Sequence, residues 1–434
     1  MKRLIAIICI VAIAMQARNV DMNQFFLKGT TDKNPLQYHV GETIVFTLNL
    51  ETKGQAIPDG YTIKWNRTGD DGVAEKGDSP ANQQPLIIKT KAEKPGFVRI
   101  YAELYDNNGK PVRKPKQPGR SSGDWSKVFF DGSAAADPLL MKTTQEPQDF
   151  DEFWKRQLAR LDATPLQPTL QPVPSKNPNV AIHAVTIPCP GPGNRPATGY
   201  ITIPVNAKDK SIPAELTVHG RGYILQEIPT NGPEDKIVFE VNAHGYDLGK
   251  DKEYYDEYLK NTSSNGHGYG FDPIQNSNPE TAYFNGMALR DLQALRYLKT
   301  RPEWNQKDLK INGGSQGGLQ AIWLAALDHD VTVIAPSVPW CCDMGGKSLG
   351  RIIGSWHIKY VPQLDYYDPI FHASRIPISC NVTIARAGLG DYVSPPSGVF
   401  IFFSKLKCPK SITWIQGGTH GYTPPQPNFS FTIK

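Results

Sequence analysis

The 434-residue chain has few long apolar segments and no dense run of basic residues. Its longest apolar stretch, residues 4–14, is too short for a membrane-spanning helix, which needs about 20 such residues. The formal net charge is +5, and two of the positive charges lie at Lys2 and Arg3. We therefore expect no nucleic-acid partner and no membrane span.

Cysteine is also scarce, with six in the whole chain and no CxxC pair. The five cysteines beyond the N-terminal stretch are Cys189, Cys341, Cys342, Cys380 and Cys408. An odd number excludes a fully paired set within one chain, and the spacing matches no zinc motif. We expect no metal and no organic cofactor.

The N-terminus has the pattern of a secretory signal. Lys2 and Arg3 form a positive start, residues 4–14 form the apolar part, and Ala17 ends the stretch before a cleavage site. The sequence thus predicts a signal peptide over residues 1–17. A secreted or periplasmic protein is expected from it.

Residues 19–135 have the pattern of an all-β unit. Residues 42–50 and 97–104 alternate apolar and polar side chains, and turn signals separate the short segments. This spacing favours a small immunoglobulin-like sandwich. Its Trp65 and Trp125 are candidates either for the core or for stacking on sugars.

Residues 136–434 alternate between strand and helix patterns. A helix is predicted over residues 149–161, capped by Asp149, and a proline-rich connector follows over 164–178. The predicted strands are 197–203, 216–219, 237–242, 309–312, 331–335, 382–387 and 412–415. Such alternation predicts an α/β domain with a doubly wound, mostly parallel sheet covered on both faces.

The strongest chemical signal is the GxSxG sequence at residues 313–317, between a strand and a helix. In the α/β-hydrolase fold this context forms the turn that exposes a nucleophilic serine, here Ser315. The backbone N–H of Gln316 then faces a developing oxyanion. A glycine-rich turn without catalytic function is the alternative interpretation.

A serine nucleophile needs a histidine base and a carboxylate, in the chain order Ser, Asp or Glu, His. Three histidines follow Ser315, and His420 comes directly after a predicted strand, unlike His357 and His372. The carboxylate is predicted at Asp391, on the loop after the strand 382–387, rather than at two other aspartates. Those aspartates are Asp365 and Asp368.

A second oxyanion donor is expected after an earlier strand, in the sequence His219-Gly220-Arg221-Gly222. Glycine allows the backbone to approach the site closely. The candidate is the N–H of Arg221, with that of Gly222 as the alternative. His219 is expected to support the loop.

These motifs together resemble the acetyl xylan esterase and cephalosporin C deacetylase family of carbohydrate esterases. The resemblance starts at the entry helix DFDEFW and covers residues 149 to the end. It includes the HG motif at 219–220, GGSQGG, VPWCCD at 338–343, GLGDYVSPPS at 388–397 and GTHG. By resemblance, Ser315, Asp391 and His420 are the catalytic residues, and Arg221 and Gln316 supply the oxyanion N–H groups.

The resemblance implies removal of acetyl groups from sugar hydroxyls of an acetylated oligo- or polysaccharide. Compact members form ring-shaped oligomers, so an oligomer is possible here. Three segments depart from the family pattern: HGRGY at 219–223, NAHG at 242–245 and the long stretch 254–279. The alternatives are a prolyl-oligopeptidase-type serine peptidase and a non-catalytic glycan-binding protein.

Overall fold

The computed structural model describes residues 20–116, 118–120, 122–222, 227–426 and 428–434. The predicted signal peptide over residues 1–17 lies outside these ranges. None of the helices in the described part of the chain is long and apolar enough to cross a membrane.

Two antiparallel sheets form the N-terminal unit. The strands are β1 (Phe26–Thr31), β2 (Ile44–Glu51), β3 (Thr62–Gly69), β4 (Glu75–Pro80), β5 (Leu86–Thr90), β6 (Gly96–Tyr105) and β7 (Phe129–Ala136). One sheet has the order β1-β2-β5 and the other β4-β3-β6-β7. Strand β2 buries alternate residues, including Phe46 and Leu48, in one hydrophobic cluster with Ile100 and Phe130 of the opposite sheet.

The rest of the chain builds a ten-stranded sheet and its helices. Its strands are β8 (Thr169–Val173), β9 (Val180–Ile187), β10 (Ala197–Pro204), β11 (Ile212–Val218), β12 (Ile237–Asn242), β13 (Trp304–Gly314), β14 (Val333–Ser337), β15 (Asn381–Gly388), β16 (Lys410–Ile415) and β17 (Ser430–Ile433). Its helices are α1 (Phe150–Asp162), α2 (Lys252–Asn261), α3 (Pro273–Asn276), α4 (Tyr283–Lys299), α5 (Gln316–Leu327), α6 (Pro369–His372) and α7 (Pro396–Lys405).

The order of this sheet is β17-β16-β15-β14-β13-β11-β12-β10-β9-β8. The six strands from β16 to β12 pair in parallel, and antiparallel strands extend the sheet at both ends. The predicted mostly parallel α/β sheet is therefore present in its centre. The carboxyl ends of the central strands meet at one edge, where ligands of such sheets bind.

Helices form a continuous row on one face of the sheet. Because parallel crossovers are right-handed, the four connections from β12 through β16 place α4 to α7 on the same face. Contacts between α1 and α4, and between each successive pair from α4 to α7, match this arrangement. The connection from β11 to β12 runs in the opposite direction and has no helix among its described residues.

Two local predictions differ from the structure. The proline-rich connector 164–178 contains the edge strand β8, in which Pro172 lies opposite His183 of β9. Asp149 occupies the position before α1 but makes no capping hydrogen bond. Its carboxylate instead accepts a hydrogen bond from the hydroxyl of Tyr366.

Candidate active site

Ser315 stands between the end of β13 and the start of α5. Its backbone has a φ of +57° and a ψ of −118°, a conformation that costs a non-glycine residue about 1–3 kcal/mol. The Ser315 N–H donates to the carbonyl oxygen of Ser337 at 2.9 Å, which holds the turn against β14. The serine is thus presented at the carboxyl edge of the sheet.

The glycines around Ser315 allow backbone segments to pass closely. A Cβ atom at Gly313 would lie 2.3 Å from the carbonyl oxygen of Gly317. One at Gly317 would lie 2.6 Å from that of Val218, at the end of β11. The GxSxG pattern therefore reflects the packing of α5 against β13 and β11.

The structure brings Ser315, His420 and Asp391 together. The hydroxyl oxygen of Ser315 lies 2.9 Å from Nε2 of His420, and Nδ1 of His420 lies 2.9 Å from Oδ2 of Asp391. Asp391 is buried, and its other carboxylate oxygen accepts the N–H groups of Val393 and Ser394 at 3.0 and 2.9 Å. These two hydrogen bonds in series form the arrangement that activates a serine hydroxyl.

The loop that carries His420 is held by a neighbouring strand. Arg386 of β15 donates from Nη2 to the carbonyl oxygens of both Thr419 and His420, at 2.6 Å each. A single guanidinium group thereby fixes the backbone on which the imidazole is mounted.

The other two histidines after Ser315 make different contacts. His372 is buried, and its Nε2 lies 3.0 Å from the carbonyl oxygen of Tyr366. His357 contacts Lys347 through Nε2 at 2.6 Å. Neither is in hydrogen-bond contact with Ser315, so His420 alone of the three has the geometry of a base.

The two alternative aspartates support backbone and tyrosine groups. Asp368 is buried and accepts the N–H of Asp343 at 2.9 Å. Asp365 accepts the hydroxyl of Tyr360 at 2.8 Å, and burial raises the pKa of Asp365 to about 6. Both contacts are structural.

Tyr269 links the two predicted oxyanion segments, and the sequence pattern alone did not identify it. Its hydroxyl accepts the N–H of Gly222 at 2.8 Å and donates to Oε1 of Gln316 at 3.1 Å. The N–H of Gly222 is therefore already engaged, which favours Arg221 over Gly222 as the second donor. Gln316 is the first residue of α5, so its N–H has no partner within the helix.

The side chain of Arg221 anchors this loop to the long segment 254–279. Its guanidinium lies 4.0 Å from the ring centre of Tyr269 and 4.3 Å from that of Phe271. Its Nη1 also donates to the carbonyl oxygen of Tyr269 at 2.9 Å. Residues 219–222 and the segment 254–279 therefore pack together beside the nucleophile.

The NAHG segment forms a buried polar network. Nδ1 of His244 lies 2.8 Å from the hydroxyl oxygen of Tyr283. The backbone N–H of His244 donates to Oδ1 of Asn242 at 2.7 Å. Burial lowers the pKa of His244 to about 3, so the ring is neutral. Nε of Arg290 donates to the carbonyl oxygen of Ala243 at 2.6 Å.

The N-terminal unit contacts both loops of the candidate triad. The indole N–H of Trp125 donates to the carbonyl oxygen of Gly421 at 2.9 Å, and Asp124 accepts the hydroxyl of Thr419 at 2.7 Å. These two partners flank His420. On the other loop, a Cβ at Gly390 would lie 1.9 Å from the carbonyl oxygen of Asp131, so only glycine fits.

A cavity of about 30 Å³ lies against the segment that follows β14, and neither Ser315 nor His420 is among its lining residues. Its wall includes Trp340, Trp356, Val393 and Pro395. The backbone N–H of Trp340 donates to the carbonyl oxygen of Ser315 at 3.1 Å, which ties this segment to the backbone of the serine.

Within the described ranges, no group of three or more His, Cys, Asp or Glu side chains is arranged to hold a metal ion. The five described cysteines are free thiols. Burial raises the pKa of the Cys189, Cys341, Cys342, Cys380 and Cys408 thiols.

The sheet order and the positions of Ser315, Asp391 and His420 after β13, β15 and β16 define the class as the α/β-hydrolase fold. Residues 140–347 match the family model of acetyl xylan esterase. The match includes Ser315 and ends before Asp391 and His420.

Known proteins agree with this family. The chain is 28% identical over 286 residues to the acetyl esterase Axe7A of Xylanibacter ruminicola, a match that covers 63% of each protein. The chain thus spans less than two thirds of the length of this curated relative. These matches confirm the resemblance to the acetyl xylan esterase family.

Solved structures agree in fold. An acetyl xylan esterase from a Paenibacillus species has 21% identity and a TM-score of 0.53, covering 66% of this chain and 94% of its own. Acetyl xylan esterase 1 from a Thermoanaerobacterium species has 17% identity and a TM-score of 0.53, covering 67% and 93%. At these identities the likeness concerns the fold.

Proposed function

We propose that the chain is a serine carbohydrate esterase that removes acetyl groups from sugar hydroxyls of xylan or related oligosaccharides. The observation that carries the proposal is the pair of hydrogen bonds, both 2.9 Å long, that link Ser315 to His420 and His420 to Asp391. The names of the similar proteins supply the acetyl group and the xylan class.

In the proposed mechanism, Ser315 attacks the acetyl carbonyl carbon while Nε2 of His420 takes its proton. The N–H groups of Gln316 and Arg221 stabilise the tetrahedral oxyanion. His420 then gives this proton to the sugar oxygen as its bond to the acetyl carbon breaks, which releases the sugar hydroxyl. In the second half, His420 takes a proton from water, the water oxygen attacks the acetyl carbon, and the proton passes to Ser315 as acetate leaves. Asp391 orients His420 and stabilises its charged form without taking the proton.

The acetyl group is the acyl group named for the similar proteins, and the proposal adopts it. We expect the kcat/KM for 4-nitrophenyl acetate to exceed that for 4-nitrophenyl butyrate by at least about tenfold. Equal values for the two esters would contradict a preference for the acetyl group.

We also propose the domain division predicted from the sequence: a signal peptide over 1–17, an immunoglobulin-like sandwich over 19–135 and the catalytic domain over 136–434. The shared core of the two N-terminal sheets supports the sandwich. The proposed location is secreted or periplasmic, which fractionation of cells that express the full chain will test.

The deciding experiment measures acetate release from acetylated xylo-oligosaccharides. Wild type should release acetate, and Ser315→Ala should lose at least about four orders of magnitude in kcat. Ser404→Ala, an exposed serine on α7, is the matched control and should be as active as wild type. Full activity of Ser315→Ala would refute the proposal.

A panel of dipeptide amides separates the peptidase alternative. Amide hydrolysis without acetate release would favour a peptidase. The absence of both activities, together with glycan binding, would favour the non-catalytic alternative.

A further inference from the structure

A groove on the N-terminal unit lies against the loop of the candidate base. We name it the cationic groove, a cavity of about 410 Å³ whose lining includes Arg113, Lys114, Lys116, Arg120, Ser122 and Trp125. This volume falls within the range of about 300–1,000 Å³ that is typical of ligand sites. No Asp or Glu is among the described residues that line it.

The cationic groove is fixed to the triad by direct contacts. Trp125 in its wall donates its indole N–H to the carbonyl oxygen of Gly421 at 2.9 Å. Ser122 packs so closely on Gly421 that a Cβ there would lie 2.4 Å from the serine Cβ. A ligand in this groove would therefore lie beside the residue that follows His420.

The charges of the groove are only partly neutralised. Arg113 forms an ion pair with Glu103 at 2.6 Å. In contrast, Lys116 and Arg120 have no carboxylate partner among the described residues, and the guanidinium of Arg120 rests 3.9 Å from the ring centre of Trp125. A guanidinium group is suited to bidentate binding of a carboxylate.

Lys114 also lines the groove, but its Nζ lies 3.6 Å from the ring centre of Phe26, which is not among the lining residues. Burial, together with the charge of Lys53, lowers the pKa of Lys114 to about 8. The exposed cations of the groove that have no carboxylate partner in the described ranges are therefore Lys116 and Arg120.

We propose that the cationic groove is a subsite for a carboxylate-bearing sugar, a uronic acid unit of the acetylated glycan whose ester lies at Ser315. The inference rests on the proposed esterase function and adds a substrate class to it. The N-terminal unit then selects acidic glycans, while the α/β domain performs the hydrolysis.

The test uses the full-length double variant Lys116→Gln with Arg120→Gln. The matched control is Lys89→Gln with Lys208→Gln, which removes the same charge from two exposed sites away from the groove. Three substrates are compared: 4-nitrophenyl acetate, neutral acetylated xylo-oligosaccharides, and acetylated xylo-oligosaccharides that carry glucuronic acid.

The groove variant should lose about tenfold in kcat/KM on the acidic oligosaccharides, mainly through KM, as expected for lost hydrogen bonds to a charged group. Its activity on the two neutral substrates and the activities of the control should stay within about twofold of wild type. Equal losses on acidic and neutral oligosaccharides, or no loss on the acidic ones, would overturn the subsite.

Binding separates this proposal from the proposed function. In a Ser315→Ala background, calorimetry should show that the glucuronic acid oligosaccharides bind, and that the groove variant weakens their binding. Unchanged binding would overturn the subsite whatever the catalytic result. Failure of wild type to hydrolyse 4-nitrophenyl acetate would instead overturn the esterase.

Discussion

Ser133 of the N-terminal sheet donates its hydroxyl to the carbonyl oxygen of Leu389, at 2.6 Å, on the loop that carries Asp391. The hydroxyl of Tyr392 lies 2.7 Å from the same serine oxygen. All three residues are buried. A single side chain of one sheet thus contacts the residues on both sides of the Gly390-Asp391 pair.

Replacing this serine should affect catalysis as well as stability. Ser133→Ala leaves two buried groups without their partner, which should lower the free energy of unfolding by about 1–3 kcal/mol. The looser carboxylate loop should lower kcat for 4-nitrophenyl acetate about tenfold with little change in KM. Ser79→Ala on strand β4 is the matched control and should change neither quantity; wild-type kcat in Ser133→Ala would contradict the positioning role.

Tyr269 should matter through its hydroxyl alone. Tyr269→Phe keeps the ring beside Arg221 but frees the N–H of Gly222 and Oε1 of Gln316. Because both groups adjoin the proposed oxyanion donors, we expect kcat to fall about 10- to 30-fold while KM changes little. Tyr254→Phe removes a hydroxyl that accepts the N–H of Asp247, and it serves as the control. Equal kinetics for the two variants would contradict the link.

The strained backbone of Ser315 predicts a difference between two inactive variants. Ser315→Ala keeps the Cβ atom in a conformation with a φ of +57°, whereas Ser315→Gly removes it. Strain relief of about 1–3 kcal/mol exceeds the entropy cost of glycine, about 0.5–1 kcal/mol. Urea unfolding should therefore show the glycine variant to be the more stable of the two, and the reverse order would contradict strain at the turn.

Stability in acid should depend on His372. Burial lowers the pKa of His372 to about 3, from about 6.5 in the unfolded chain. Between these two pKa values the unfolded chain binds more protons than the folded chain. The stabilisation that comes from the neutral buried imidazole is therefore complete above pH 6.5, and it is lost as the pH falls below that value.

The variant His372→Gln lacks that titration. At pH 8 it should be less stable than wild type, because the imidazole no longer packs against Phe150 and Trp154. Below pH 6.5 the difference in free energy of unfolding between wild type and variant should narrow by up to about 1.4 kcal/mol per pH unit. Urea unfolding at pH 8 and pH 5 measures this difference. The same difference at both pH values would contradict the assignment of a neutral buried ring.

The sequence predicted the elements that local patterns specify. Strands β13, β15 and β16 have short apolar runs that end in glycine-containing loops, and Ser315, Asp391 and His420 follow them. The structure places these three residues close together because a parallel sheet brings the carboxyl ends of its strands to one edge.

The contacts that orient these residues could not be predicted in this way. Trp125 and Gly421 are 296 positions apart, and Ser133 and Leu389 are 256 apart. Neither pair has a periodicity or a motif, because each contact depends on how the N-terminal unit packs against the rest of the chain. The role of Tyr269 could not be predicted from the sequence either, because the segment 254–279 has no regular pattern.

The edge strands carry a consequence for association. Strand β8 ends the large sheet and contains Pro172, which has no N–H to offer a further strand. Strand β4 ends the four-stranded sheet with the sequence EKGDSP, which places charges and a proline on its free edge. Edges of this kind resist strand addition from another chain, so the protein is protected at both places against the sheet-to-sheet aggregation that open β edges promote.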